Sequence, residues 1–108
     1  MGVSQPGSEL HPLADIDQVI HVSARLMVLT YLYVVENADY VFLMRMTGLT
    51  WGNLSTHMTR LEESGYIKML KEFKGKKPHT KIQLTEQGRA AFRKYKKSMQ
   101  QVLDDLPD

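Results

Sequence analysis

Small, polar and cationic side chains recur along one stretch of the chain at the spacing of a single helix face. In the segment "LTWGNLSTHMTRLEESGYI", residues 49–67, this face holds Gly52, Asn53, Thr56 and Arg60. Amide, hydroxyl and guanidinium groups donate and accept hydrogen bonds, and acids enter only near the end of the helix. Because exposed helix faces commonly mix Glu with Lys, this composition favours recognition of a ligand over plain solvation.

The side chains that must position this face are Leu54, Met58 and Leu61, which follow each other at i, i+4 and i+7. Such a stripe predicts an amphipathic helix over residues 50–64, with its apolar side turned toward a core. The polar face then points away from that core.

Helix caps divide this part of the chain into elements. Asp39, Thr50 and Thr85 are suited to N-cap positions, because their side chains can accept a hydrogen bond from the first helical turn. Gly48 and Gly65 are suited to helix ends, where a positive φ is favoured. The predicted elements are helices at about 15–36, 40–47 and 50–64, strands at 66–73 and 79–84, and a helix at about 85–106.

The order helix, helix, helix, strand, strand, helix predicts an α+β fold that is mostly α. The first helix can be capped by Asp15 or Asp17, and it is either continuous or broken at Val22-Ser23. Residues 15–108 have the length of one domain. Residues 1–14 show neither the basic nor the apolar region of a signal peptide and are expected to form a flexible leader.

Positive charge is concentrated in the second half of the chain, although the formal net charge is only +2. Between Asn53 and Lys97 there are twelve Lys and Arg residues against four acids. A cationic half suggests a polyanionic partner, while a solvated lysine surface would give the same count. The absence of cysteine excludes disulfides and thiolate metal sites, and is compatible with a reducing cytoplasm.

Three motifs in succession resemble a known family. They are "GNLSTHMTRLEESGYI" in the third helix and first strand, "GKKPHT" in the hairpin, and "LTEQGRAAFRKY" at the start of the last helix. In this order they resemble the winged helix-turn-helix transcriptional regulators of the MarR/ArsR-like group, above all a small single-domain subset. The resemblance runs from about Ile16 to about Met99 and implies a winged helix, with the hairpin as the wing.

The resemblance implies that the third helix enters the major groove of duplex DNA, and the residue chemistry agrees, because small and polar side chains let a helix approach base edges. We expect base contacts from Gly52, Asn53, Thr56 and Arg60. Contacts to the DNA backbone are expected from the helix borders and the basic wing, residues 71–81, at Ser55, Thr59, Lys74, Lys76, Lys77, His79 and Lys81. The expected function is a sequence-specific transcriptional repressor that reads an inverted repeat.

Two apolar surfaces exceed what one small subunit needs to bury. The segment "RLMVLTYLYVV" is apolar nearly all round, and the last helix carries a seam with coiled-coil-like spacing. Together with the resemblance, they predict a homodimer. Its interface is expected to contain Leu26, Leu29, Tyr33, Phe92, Tyr95, Met99, Val102, Leu103 and Leu106. The alternative is that the last helix folds back on its own subunit.

Four positions complete the expected site. Trp51 is expected to pack as an apolar plug between helices, with a phosphate as the alternative partner of its indole N–H. His57 lies close to the apolar stripe and, as in the related regulators, is expected to be half-buried and structural. Val41 and Phe42 are expected to face solvent on the second helix, where the family is usually polar. They suggest a partner surface or a pocket wall.

Catalytic functions are not favoured by the sequence. The four histidines are scattered without metal-ligand spacing, and neither a dinucleotide loop nor a nucleophile elbow is present. We predict no enzymatic activity, no cofactor and no membrane contact. A winged helix used for protein–protein assembly is the alternative to DNA binding. An unidentified small-molecule or protein effector is left open as a further partner.

Overall fold

The computed structural model describes residues 12–108 of the chain. Within this range the elements follow each other in the predicted order, and the α+β, mostly α, class is confirmed. The helices and strands are α1 (Ser23–Val34), α2 (Tyr40–Thr47), α3 (Trp51–Glu63), β1 (Ile67–Lys74), β2 (Lys77–Leu84) and α4 (Glu86–Asp104). None of the helices in residues 12–108 combines the length and the hydropathy needed to span a membrane.

The predicted first helix is broken at Val22-Ser23, which is the second of the two alternatives given by the sequence, and α1 begins at Ser23. Pro12–Asp15 forms a short 3₁₀ helix. The Asp17 carboxylate then accepts hydrogen bonds from the backbone N–H groups of Val19 at 2.9 Å and Ile20 at 3.2 Å, which closes a separate turn before α1. The predicted leader lies outside the described residues except for residues 12–14, which belong to the 3₁₀ helix.

Local capping defines the helix ends as expected. The side chains of Asp39, Thr50 and Thr85 each accept a hydrogen bond from the backbone N–H three residues later, over 2.8, 3.2 and 2.9 Å. Gly48 and Gly65 have φ values of 76° and 81°, which favour glycine. The short turn between α2 and α3 is thereby set, and the two helices form a helix-turn-helix.

The hairpin extends further toward its tip than the sequence predicts. Lys74 pairs with Lys77 at the end of the antiparallel ladder, so that only Gly75 and Lys76 form the turn. Gly75 has a φ of 64°, as tight hairpin turns require. The strands therefore continue beyond the expected ends, because a two-residue turn lets both lysines join the ladder.

One apolar core joins the helices to the base of the hairpin. Leu54, Met58 and Leu61 of α3 are each 0% exposed, as the stripe predicts. They share a cluster with residues of α1, α2 and both strands: Val28, Leu29, Leu32, Leu43, Ile67 and Ile82. A backbone bridge between Ala38 and Ile82 also ties the segment before α2 to β2. The wing and α3 are therefore built on one common base.

Candidate nucleic-acid interface

The outer face of α3 is open to solvent. Gly52, Asn53, Thr56 and Arg60 are all exposed, and no atom lies within 4 Å of the position that a Cβ on Gly52 would take. The Thr56 hydroxyl donates to the Gly52 carbonyl at 3.0 Å, so its oxygen stays close to the helix surface. A flat ligand edge can therefore come close to the backbone of the first turns of α3.

The borders of this face differ in exposure. Thr59 is exposed, whereas Ser55 is half-buried. The acids Glu62 and Glu63 are exposed and lie at the end of α3, as its sequence requires. The predicted contact residues of α3 are thus brought onto one surface, with the negative charge at its far end.

A second cation, which the sequence did not suggest, lies behind Arg60. The Arg25 guanidinium of α1 lies 3.4 Å from Nδ1 of His57, and its Nε donates to the carbonyl of Val19 at 2.5 Å. Burial, followed by the charge of Arg60, lowers the pKa of Arg25 from its ordinary value. Neither arginine forms an ion pair with a described residue. A nearby anion would stabilise this cluster.

His57 has the half-buried, structural placement expected of it. Its ring lies between α1 and α3, and burial lowers its pKa, with the charge of Arg25 as the smaller cause. The neutral form of the imidazole is therefore favoured in the folded subunit. Sequence spacing alone has no signal for the Arg25 contact, since the two residues are 32 positions apart.

The wing tip gathers the predicted lysines. Lys74, Lys76 and Lys77 are all exposed around the two-residue turn, and Lys71 is exposed further back along β1. No carboxylate of the described residues forms an ion pair with any of them. Like charges held this close are stabilised by an anion such as a phosphate.

The two predicted contacts on the strand β2 are placed differently from the tip. His79 is half-buried with its Nε2 3.9 Å from a carboxylate oxygen of Asp39, and Lys81 lies 4.0 Å from Glu72. Both side chains already have an acid beside them, so they are weaker candidates for phosphate than the tip lysines. Within residues 12–108 no cluster of His, Asp and Glu is arranged to hold a metal ion.

Trp51 does not form the expected plug. Its ring packs on Tyr40 with a centroid distance of 4.3 Å and an interplanar angle of 35°, yet the residue is 58% exposed. The neighbouring Val41 is 63% exposed, as expected. Trp51 begins α3, and its ring contact among the described residues is the one with Tyr40.

The expectation that Phe42 faces solvent is wrong. Phe42 is half-buried against the core and makes an edge-to-face contact with Tyr31, with 6.2 Å between the ring centroids. The contact between α2 and α1 covers Phe42. The apolar surface of α2 is thereby reduced to Val41 and, near the helix end, Met46.

The predicted interface residues fall into three groups. Leu29 and Tyr95 belong to the core of the subunit, at 0% and 6% exposure, so the expectation that they meet a second copy is corrected. Half-buried positions on α1 and α4 are Leu26, Tyr33, Phe92, Met99 and Val102. Leu103 and Leu106 are 58% and 62% exposed at the end of the chain's last helix and just beyond it.

Tyr33 links α1 to the cationic side of α4. Its ring lies 5.3 Å from Phe92 and 4.7 Å from the Arg89 guanidinium, measured to ring centroids, and Arg93 Nε donates to its hydroxyl at 3.0 Å. This hydrogen bond is the largest cause of a lowered Tyr33 pKa. Both arginines are thereby held beside α1.

These elements define the class of the protein as a winged helix-turn-helix. A helix pair joined by a short turn is followed directly by a basic hairpin, and an apolar core fixes the two together. The model of the winged helix DNA-binding domain family matches residues 24–103. The chain belongs to this family.

Known proteins agree with that assignment. The chain is 32% identical over 78 residues to an uncharacterized protein of Methanocaldococcus jannaschii, covering 72% of this chain and 85% of that one. The structure of the present chain resembles that of a transcriptional regulator homologue from Pyrococcus horikoshii OT3, with 26% identity and a TM-score of 0.82. The match covers 88% of this chain and 98% of that one. A MarR-family regulator from Porphyromonas gingivalis W83 shares the fold at 17% identity, with a TM-score of 0.69 and coverage of 98% and 100%. The expected resemblance to winged-helix transcriptional regulators is confirmed, the likeness to the MarR-family protein is one of fold, and the chain is a DNA-binding regulator.

Proposed function

We propose that this regulator is a homodimeric repressor that reads an inverted repeat in duplex DNA. The observation that carries the proposal is that the outer face of α3 and the tip of the wing are both exposed, and that none of their cations forms an ion pair with an acid of the described residues. In this arrangement α3 lies in the major groove and the wing lies over the adjacent minor groove. Both elements share one core, so they approach the duplex as a rigid unit.

The outer face of α3 supplies the contacts that distinguish sequences. Asn53 can pair with the N6 and N7 edge of adenine, and Arg60 with the O6 and N7 edge of guanine. Gly52 and Thr56 are small enough to let the helix come close, and each also offers polar groups. Ser55 and Thr59 lie at the borders, where hydroxyl groups meet phosphate oxygens.

The wing supplies affinity with little dependence on sequence. Lys74, Lys76 and Lys77 neutralise phosphates and release counterions, which makes binding salt-dependent. His79 and Lys81 contribute less, because Asp39 and Glu72 already lie beside them.

The dimer is proposed through α4 and the adjoining face of α1. Leu103 and Leu106 are exposed apolar residues, and they continue the half-buried line of Phe92, Met99 and Val102. The charges on α4 also favour an antiparallel pair. The cations of α4 lie between Arg89 and Lys97, and Asp104 and Asp105 follow at its end, with Glu86 in the first turn. Two copies crossing near Met99 would therefore oppose Arg93 and Lys94 to Asp105 and Asp104 of the other copy.

The test is selection of bound duplexes from a random library, followed by titration of the selected site at several salt concentrations. We expect an inverted repeat with half-site centres roughly 34 Å apart, one duplex turn, because two recognition helices must enter successive major grooves. A protein–protein assembly module with a basic wing would instead enrich no sequence and bind every duplex equally. Repression is tested by placing the selected site over a promoter and measuring transcription with and without the protein. A small-molecule or protein effector would appear as a ligand that releases the selected site.

A further inference from the structure

A cleft lies between the start of α3 and the wing. It has a volume of about 210 Å³ and lies where the first turns of α2 and α3 approach the second strand of the wing. Its walls include Trp51 and Val41 on one side and Pro78 and Thr80 on the other. The cleft is therefore continuous with both elements that the proposed function assigns to DNA.

Trp51 is the part of this cleft that is poised to meet a ligand. Tyr40 holds one side of the indole, and more than half of the residue remains exposed. Its N–H makes no hydrogen bond to any described residue. A rigid aromatic ring with an unused donor is a common anchor at binding surfaces, because little conformational entropy is lost when a partner covers it.

The surroundings of the cleft favour an anionic occupant. Lys77 precedes Pro78 at the wing side, and His79 lies at the rim. The acid at the rim is Asp39, and its carboxylate is engaged: one oxygen accepts from the N–H of Phe42 and the other lies 3.9 Å from His79. The cleft thus offers apolar walls and a free N–H, its acid is already engaged, and Lys77 is the adjoining basic residue of β2.

We propose that this cleft binds the sugar–phosphate strand that runs between the major groove and the minor groove. This inference rests on the proposed function: with α3 in one groove and the wing over the next, one DNA strand must pass between them. The indole packs against a deoxyribose and donates its N–H to the adjoining phosphate, while Val41 and Pro78 line the apolar side of the same strand. Trp51 then contributes to affinity equally on every sequence, because sugar and phosphate are the same in all of them.

The experiment uses the fact that Trp51 is the only tryptophan of the chain, so that its fluorescence reports on this position alone. The full-length protein is titrated with the selected duplex while tryptophan emission, its quenching by acrylamide, and the anisotropy of labelled DNA are followed together. We expect emission to change and acrylamide quenching to fall along the same curve as the anisotropy. An anisotropy curve that saturates with emission and quenching unchanged overturns the inference and leaves the proposed function standing. No anisotropy change at low salt overturns both.

Variants separate the ring from its N–H. Trp51→Phe keeps an aromatic ring on Tyr40 but removes the donor, and it should weaken binding about tenfold, as expected for one charge-assisted hydrogen bond. Trp51→Ala should weaken binding further. For each variant, the loss of affinity on the selected duplex should equal its loss on random duplexes, because sugar and phosphate carry no sequence information. Glu36→Gln, at an exposed residue outside the cleft and outside the proposed dimer surface, is the control and should bind like the parent.

Two results with these variants would contradict the inference. Unchanged affinity in Trp51→Phe and Trp51→Ala would show that the cleft stays empty. A loss confined to the selected duplex would show that Trp51 reads a base, so that the backbone assignment is wrong. Thermal unfolding of each variant is measured alongside, and Trp51→Phe remains informative if removal of the whole ring destabilises the subunit.

Discussion

The helices α3 and α4 are both amphipathic, yet they relate to their subunit in opposite ways. The apolar stripe of α3 is completely buried, and its outer face carries neutral polar groups and one arginine. In α4 the apolar side is covered only in part, and the outside is strongly cationic. The helix α3 buries its apolar side within its own chain and leaves a polar face exposed to a ligand. The helix α4 keeps part of its apolar side exposed.

The glycines of the two helices show the same difference. A Cβ on Gly52 of α3 would meet no atom within 4 Å, while a Cβ on Gly88 of α4 would overlap the carbonyl of Tyr66. Gly88 is buried because α4 begins directly against the end of the turn before β1. Close packing therefore holds the start of α4 in the subunit, and its freedom to meet a partner grows toward its end.

The largest expected effect follows from shortening α4. Ending the chain after Tyr95 removes Met99, Val102, Leu103 and Leu106, which we propose as the cover between two copies. We expect a monomer that binds the selected inverted repeat at least roughly a hundredfold more weakly, because the two half-sites no longer act together. Light scattering and anisotropy measure the two quantities.

The control for the truncation is a duplex with a single half-site, on which the short and full-length chains should bind alike. A full-length protein that is monomeric at tens of micromolar, a range usual for such measurements, would contradict the dimer. In that case the apolar end of α4 serves another purpose.

The next effect concerns the cations of the wing compared with those elsewhere. Changing Lys74, Lys76 and Lys77 to Ala should weaken binding to every duplex and reduce the slope of log affinity against log salt by up to about 0.9 for each phosphate that is no longer neutralised. The matched control removes three exposed lysines outside the proposed site, Lys68, Lys96 and Lys97, and should change the slope much less. Equal changes in both triple variants would mean that net charge, and not the wing, determines the affinity.

A smaller and more selective effect is expected on α3. Arg60→Ala or Asn53→Ala should cost roughly 1–3 kcal/mol on the selected site, because each substitution removes a bidentate pair of hydrogen bonds to a base edge. On random duplex the cost should be much smaller, since the lysines of the wing still bind phosphates. Measuring both duplexes for each variant tests this, and equal costs would show that the face of α3 only holds the backbone.

The smallest expected effect is a pH dependence of stability that arises from His57 in α3. Burial keeps the pKa of His57 below its ordinary value in the folded subunit, so the unfolded chain takes up a proton first as the pH falls. The free energy of unfolding should therefore decrease below about pH 6.5, the ordinary histidine value. His57→Gln should flatten this decrease in urea titrations at pH 7 and pH 5, and an unchanged pH profile would contradict it.

Much of the fold follows from local patterns in the sequence. The caps at Asp39, Thr50 and Thr85 and the helix ends at Gly48 and Gly65 depend on bonds between residues three or four apart, so a short window contains the information. The stripe of α3 also predicts its own burial, because its period matches the helix. The same reasoning places the polar face outside and thereby identifies most of the candidate site.

Other features depended on how the elements meet. Leu29 and Phe42 lie on helices with apolar residues on several sides, so periodicity does not tell which side the neighbouring helix covers. The contact between Arg25 and His57 and the cleft beside Trp51 join residues far apart in the chain. Their positions follow from the angles at which α1, α2 and the wing pack on one core, and these angles are set by the sum of many side-chain contacts.

The sequence by itself determined the elements, their caps, the polar face of α3 and the cationic wing, because each arises from interactions between near neighbours in the chain. Only the tertiary structure decided that Trp51 remains exposed on Tyr40 and that Leu29 and Tyr95 are buried in the core of one subunit. It also decided that the apolar residues at the end of α4 stay outside this core. Burial depends on the contacts between distant segments, and an apolar residue has no local signal that tells whether its own subunit or a partner will cover it.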